Sequence, residues 1–295
     1  MKDLLKKKKK KGKYICLMLS SGEDSRLIYT ILENVIIKLN YQKNFYVCTG
    51  RISDNYTDYD ESLIIKKYWN KKPINHQVIT INRKEIFKKI DLANKINFQP
   101  VNGLPNIIFM ECVKKMVKQF GHKKVTMVAG VGDQIFFNAS KKQAKLQQKK
   151  NYSFVNANEE TIFHNSLYLT PKFSKISDQI FKKIKTKNFF VQKHFYHKYI
   201  NQMAYNYRGP KVITEFINIF KYFKVEHYMP FLDKKFQELV LSLKKNELHN
   251  GKTKKTFINN SNKIINPSHK VIPGLKIITP QREILYENRK KILKV

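Results

Sequence analysis

Cysteine is scarce: Cys16, Cys48 and Cys112 are the only three in 295 residues, and they are scattered. That excludes a disulfide framework and a CxxC metal site. Two of the three fall in apolar, strand-like segments, where a buried free thiol is the usual occupant. Long apolar runs are missing as well. None approaches the roughly 20 residues that span a bilayer, and the N-terminus, Met1 to Leu5 followed by Lys6 to Lys11, lacks the apolar stretch of a secretory signal. A cytoplasmic protein without a membrane span is therefore expected. There is no internal repeat. Acidic residues are few, 22 against 58 Lys and Arg, giving a net charge of +36.

What is present is the composition of a globular protein, 42% hydrophobic, in a chain long enough for one large or two medium domains. The charge raises nucleic acid or an anionic surface as a partner. However, lysine is spread along the whole chain together with abundant Asn, Ile, Tyr and Phe, as an AT-rich coding sequence would produce. Only Lys6–Lys11 and Lys141–Lys150 are true clusters; the first reads as a solvated tail, the second as an exposed helix or loop.

Short apolar segments at Tyr14–Leu19, Phe45–Thr49, Gln77–Ile81 and Val125–Ala129 predict strands. Between them, Leu27, Ile28, Ile31, Leu32, Val35 and Leu39 repeat at helical spacing, as do Ile107, Met110, Val113, Met116 and Val117. This alternation predicts an α/β fold, a parallel doubly wound sheet followed by a mainly helical region, with ligands at the carboxyl ends of the strands. After about residue 140 the pattern becomes helices, at Gln192–Tyr207, Lys211–Phe223 and Lys234–Leu243, without convincing strands. Asn250 to Pro280 reads as loop and Arg208-Gly209-Pro210 as a turn. The division is a basic tail at 1–12, an α/β core at 13–140 and a mainly helical part at 141–295.

Chemistry concentrates in two strand-end turns. Leu17 to Arg26 runs from an apolar strand through Leu19, Ser20, Ser21 and Gly22 into a helix carrying Asp24 and Ser25. Such a turn leaves backbone N–H groups at a helix N-terminus, where a phosphate is favoured. Ala129 to Phe136 repeats the arrangement with Gly130, Gly132 and Asp133. On a parallel sheet both turns reach the same edge. Carboxylates plus phosphate oxygens are the hard ligands magnesium takes, so Asp24 and Asp133 are the candidate metal pair; the plain alternative for Asp133 is a helix N-cap.

Ser20, Ser21, Gly22, Asp24 and Ser25 resemble the SGGxDS loop of the ATP-pyrophosphatases. Further segments resemble, in order, the synthetase domain of asparagine synthetase and its relatives: Tyr59-Asp60-Glu61-Ser62 and the histidine before the third strand, His76; Phe98-Gln99-Pro100 followed by Leu104-Pro105-Asn106, which opens a helix; Gly130 to Phe136 as a shortened SGxGxDELF loop; and Pro230-Phe231-Leu232-Asp233. The resemblance runs from about Lys13 to Pro280. It implies ATP and Mg2+ as cofactors, with Leu19, Ser20, Ser21, Gly22, Asp24, Ser25, Thr49, Gly50, Gly130 and Gly132 binding the nucleotide. Thr49 and Gly50 are expected to end the second strand, where the family's backbone meets adenine. Asp24, Asp133 and Lys270 are the implied catalytic residues.

The implied reaction is ATP-dependent amide formation: a small-molecule or peptide carboxylate is activated as an acyl-adenylate, pyrophosphate leaves, and ammonia or an amine displaces AMP. Arg26 after the loop resembles relatives that act on acceptors other than aspartate. The family's loop Glu, taken there as the base for the amine, is replaced by Val131 or Gly130; Gln134 and Gln99 replace two further acids. The nucleotide half is thus more intact than the acceptor half. Rivals are a tRNA-modifying ATP-pyrophosphatase, which would give the charge a role but commonly uses paired cysteines, and a non-catalytic nucleotide-binding relative. A glutaminase nucleophile is not expected, since Lys2 follows Met1 and Cys16 sits inside a strand, so any glutaminase would be a separate subunit. His194 and His197 read as a surface or packed pair, and the aromatic cluster of Phe189, Phe190, Phe195, Tyr196 and Tyr199 as core.

Overall fold

The computed structural model describes residues 1–53, 61–68, 73–98, 104–132 and 209–242. Its contacts divide the chain into two compact units, one of Met1–Asp133, Gly209–Gln237 and Thr256–Val295, the other of Gln134–Arg208 and Glu238–Lys255. The described strands all belong to the first.

In chain order the described elements are α1 (Lys2–Lys10), β1 (Tyr14–Met18), α2 (Glu23–Lys38), β2 (Phe45–Ser53), α3 (Glu61–Tyr68), β3 (His76–Asn82), α4 (Ile86–Asn97), α5 (Leu104–Phe120), β4 (Val125–Val128), α6 (Gly209–Tyr222), β5 (Glu226–Tyr228) and α7 (Lys234–Ser242). The five strands form one sheet in the order β3-β2-β1-β4-β5, and every pairing is parallel. The α/β expectation therefore holds. Because the chain steps outward from β1 to β2 and β3, then crosses back to β4, the order reverses between β1 and β4, and a crevice opens at their carboxyl ends.

The inner strands read as near-continuous apolar runs because both faces are covered. Ile15, Cys16, Leu17, Val47, Val125 and Met127 are fully buried. Leu27, Ile28, Leu32 and Ile36 give α2 its buried face, while Ile107, Met110, Val113 and Met116 do so for α5, the spacing expected of helices packed on a sheet. Tyr14 stacks on Phe120 and meets Tyr46 edge-on where β1 and β2 begin and α5 ends. At the other end of α5, Asn106 donates to the Glu215 carboxylate of α6 at 2.6 Å, with both residues buried. All three cysteines are buried free thiols. Burial pushes the Cys48 thiol up to about 12 and holds Cys16 well above its ordinary value, so neither offers a thiolate.

Four readings need correction. The Lys6–Lys11 run is part of α1 rather than a solvated tail: Leu5 is fully buried, and Lys8 pairs with Glu226. Its other lysines hid the apolar anchor. Beyond residue 140, where no strand was expected, Glu226–Tyr228 pairs with β4 as β5; three residues are too few for a period of two to register. Gly209 and Pro210 open α6 instead of forming a turn, since proline is tolerated in a first helical turn. The second strand continues to Ser53, past Thr49 and Gly50.

Candidate active site

The edge where β1 and β4 end is built from two turns that touch. After Leu19, whose amide donates to the Cys48 carbonyl at 2.9 Å, the chain turns through Ser20 and Ser21 into α2. Ser25 ties the turn shut. Its Oγ accepts the Ser20 amide at 3.1 Å, lies 2.9 Å from Ser20 Oγ, and has the Ser20 and Gly22 carbonyls at 2.9 and 3.1 Å as acceptors for its own proton. Ser20 Oγ in turn accepts the Gly22 amide at 3.2 Å. Gly22 is the N-cap of α2, in extended backbone with no side-chain cap. Gly22 thus supplies no capping side chain, and the positive end of a 16-residue helix faces the edge. That suits an anion. Asp24 is half-buried in this turn.

The second turn arrives from β4. A Cβ on Gly130 would stand 3.5 Å from the Ser25 amide nitrogen and 3.2 Å from Ile28 Cδ1, so the glycine brings the two turns into direct contact. Gly132 has φ +101° and lies against the Pro230–Leu232 turn: a Cβ there would meet Leu232 Cδ2 at 2.5 Å and Phe231 Cβ at 3.6 Å. Only glycine meets both conditions without strain. Asp233 then accepts the Lys235 amide at 3.1 Å, opening α7. Thus the first turn, the Gly130–Gly132 turn and the Pro-Phe-Leu-Asp segment form one continuous wall.

Thr49 and Gly50 lie behind this wall, within β2. Fully buried Thr49 donates to the Leu19 carbonyl at 2.9 Å, and His76 Nε2 lies 2.9 Å from the same hydroxyl. With the threonine proton used on Leu19, the ring must be the donor, so a relay runs from β3 through β2 to the residue that starts the first turn. His76 is the first residue of β3, which begins one residue earlier than the expected Gln77. Gly50 admits α5: a Cβ there would stand 2.2 Å from Ile108 Cγ2. Sequence reasoning ranked neither role, although a threonine and a histidine on neighbouring strands, two register steps apart and so on one face, were the available clue.

Of the proposed metal pair, Asp24 is placed at this edge. Asp133, Lys270, Gln134 and Gln99 lie outside the described residues, as do His194, His197 and the aromatic cluster of Phe189, Phe190, Phe195, Tyr196 and Tyr199. Among the described residues no group of three His, Cys, Asp or Glu is gathered to hold a metal, and no helix is long and apolar enough to cross a membrane. The anion-suited turn and the adjacent Asp24 fit a metal-bound phosphate chain in which the phosphates complete the metal's oxygen set. A family model described as asparagine synthase matches residues 2–269. No curated protein matches the chain.

Proposed function

Since the chain belongs to the asparagine synthase family, an ATP-dependent synthetase family, we propose that it is an amide-forming ligase that cleaves ATP to AMP and pyrophosphate. The observation that carries this reading is the contact between Gly130 and Ser25. It joins two phosphate-suited turns at the point where the sheet order reverses. The substrate carboxylate oxygen bonds to the α-phosphorus, the bond from that phosphorus to the bridging oxygen breaks, and pyrophosphate leaves. An amine nitrogen then bonds to the acyl carbon, AMP leaves, and one amine proton is released.

The roles follow from the residues. Ser20 to Ser25 would hold the departing pyrophosphate on the α2 amides, and Asp24 with Asp133 would hold magnesium, which supplies charge neutralisation on the phosphates. Lys270 would add a second positive charge. The Thr49 relay fixes the Leu19 carbonyl, and so the height of the turn above the sheet. Incubation of the protein with MgATP, ammonium chloride and a panel of amino-acid and peptide carboxylates tests this reading by chromatography of the nucleotide products and by exchange of labelled pyrophosphate into ATP. Formation of AMP and exchange that depends on one carboxylate are expected. Formation of ADP and phosphate would refute the reading, and tight ATP binding without turnover on any carboxylate would make the chain a nucleotide-binding relative.

A further inference from the structure

The sheet's two edges differ in charge. In a parallel sheet every strand begins at one edge, and here each described segment leading into a strand brings lysine except the one before β3. Lys11 and Lys13 precede β1, Lys43 precedes β2, Lys123 and Lys124 precede β4, and Lys224 precedes β5. The helix ends that reach this edge add Lys38 of α2, Lys118 of α5 and Lys221 of α6. The α1 helix lies against the same edge, because Lys8 pairs with Glu226 at the start of β5 and Lys9 donates to the Leu39 carbonyl after α2.

Across these segments fifteen lysines, from Lys2 to Lys13, Lys38, Lys43, Lys118, Lys123, Lys124, Lys221 and Lys224, face only Asp3 and Glu226. Glu226 is already taken by Lys8 and Lys13. Lys11, Lys43, Lys123, Lys124 and Lys224 are exposed, and no carboxylate among the described residues pairs with them. The carboxyl edge is different. There Glu23, Asp24, Glu85 and Asp233 stand among Arg26, Arg51, Arg83, Lys84, Lys234 and Lys235, near balance. Among the described residues, an even scatter of charge would not set fifteen lysines against two acids at one edge and six basic residues against four acids at the other.

We propose that the amino edge of the sheet, opposite the candidate active site, is a docking surface for the phosphodiester backbone of a nucleic acid. Lysine ammonium groups contact phosphates as point charges and carry no base-reading geometry, so the binding is independent of sequence. A bilayer is the poorer fit. An interfacial helix buries an apolar face in lipid, whereas α1 turns Leu5 wholly into the protein and its exposed residues are charged.

The test is fluorescence anisotropy of the full chain with a 20-base-pair RNA duplex and a DNA duplex of equal length, at 50 and 200 mM salt. Two variants with equal charge loss are compared: K11Q/K43Q/K123Q/K124Q/K224Q on the edge, and K84Q/K88Q/K114Q/K115Q/K235Q on exposed positions elsewhere. Five neutralised phosphates correspond to an affinity loss of about 500-fold over that salt range. The wild type and the second variant are expected to show this steep dependence, while the edge variant binds weakly with a nearly flat one. Comparison of the two duplexes shows whether the backbone is that of RNA or of DNA. Equal weakening in both variants would overturn the proposal, leaving only net charge. Binding to phosphatidylserine vesicles with no binding to either duplex would also overturn it, in favour of a membrane. All ten lysines are exposed, and unchanged circular dichroism in both variants checks that the fold is intact.

Discussion

Gly130 packs directly on Ser25: a Cβ added to the glycine would lie 3.5 Å from the serine amide nitrogen and 3.6 Å from its Cα, with Ile28 Cδ1 at 3.2 Å. The spacing is tight enough that one methyl group presses on the first turn and a branched side chain displaces it. Gly130→Ala is expected to raise the KM for MgATP several-fold with little change in Tm, and Gly130→Val to remove ATP turnover while far-UV circular dichroism stays native. Wild-type KM in the valine variant would show that the two turns do not share a ligand.

Gly132 carries two constraints that a double-mutant cycle separates. Its φ of +101° penalises any L side chain, and Leu232 Cδ2 stands where a Cβ would go, at 2.5 Å. Gly132→Ala should cost about 2–3 kcal/mol in urea unfolding, from the left-handed backbone and the overpacking together. Combining it with Leu232→Ala removes the clash and leaves the backbone term, so the pair should couple by roughly 1 kcal/mol. Simple additivity would place the strain in the backbone alone.

How much of this was legible follows from which interactions leave a periodic trace. The four longer strands were readable as short apolar runs, and the apolar faces of α2 and α5 because burial repeats at 3.6 residues: Ile107, Met110, Val113 and Met116 are all at 1% exposure or less. The first turn was readable because strand, small residues and helix occur consecutively. The contacts that complete the site are not local. Gly132 meets Leu232 across a hundred residues, and Glu226 meets Lys8 across 218. No spacing within either segment encodes such a partner. Three-residue β5 sits in the sheet because β4 offers it a free edge, which its own sequence does not announce.

Thr49 should prove to be a positioning residue. Replacing it with valine keeps the shape but removes the proton given to the buried Leu19 carbonyl and the acceptor used by His76. The expected loss is about 1–3 kcal/mol of stability, the cost of buried groups left unpaired, with a raised KM for MgATP because the first turn is no longer held. Thr49→Ser should restore both, which a purely steric role would not predict.

The Glu226 cluster predicts a pH effect of definite sign. Burial, followed by the charges of Lys13, Lys11 and Lys7, holds Lys8 below the usual lysine range even with the Glu226 carboxylate beside it. The folded state therefore binds its proton less tightly than the unfolded chain does, and this contribution to stability rises with pH between the folded and the unfolded Lys8 values. Glu226→Gln removes the carboxylate and leaves two lysines facing each other. We expect a loss of about 2 kcal/mol at pH 7, less than for a fully buried pair because the Glu226 side chain is 39% exposed. The gap from wild type should narrow between pH 7 and pH 10, because without the carboxylate Lys8 gives up its proton at a lower pH than it does in the wild type. A gap that stays constant between urea melts at the two pH values would mean that the amide replaces the carboxylate without an electrostatic cost.

Asp24 separates a structural from a chemical role for the first turn. An acid near the start of a helix contributes only about 0.3–1 kcal/mol through the helix dipole, so Asp24→Asn, nearly equal in shape, should shift Tm by a few degrees at most. If the carboxylate instead holds magnesium on the phosphates, the same change removes a full ligand charge at the point of bond cleavage. The expectation is loss of AMP formation by 100-fold or more, with a higher magnesium concentration needed for half-maximal rate and ATP binding in the absence of magnesium unchanged. Asp133→Asn should behave in the same way, because the two strand-end turns lie on one edge. Asp133 acting only as a helix cap would give the opposite pattern, a lowered Tm with wild-type turnover and an unshifted magnesium dependence.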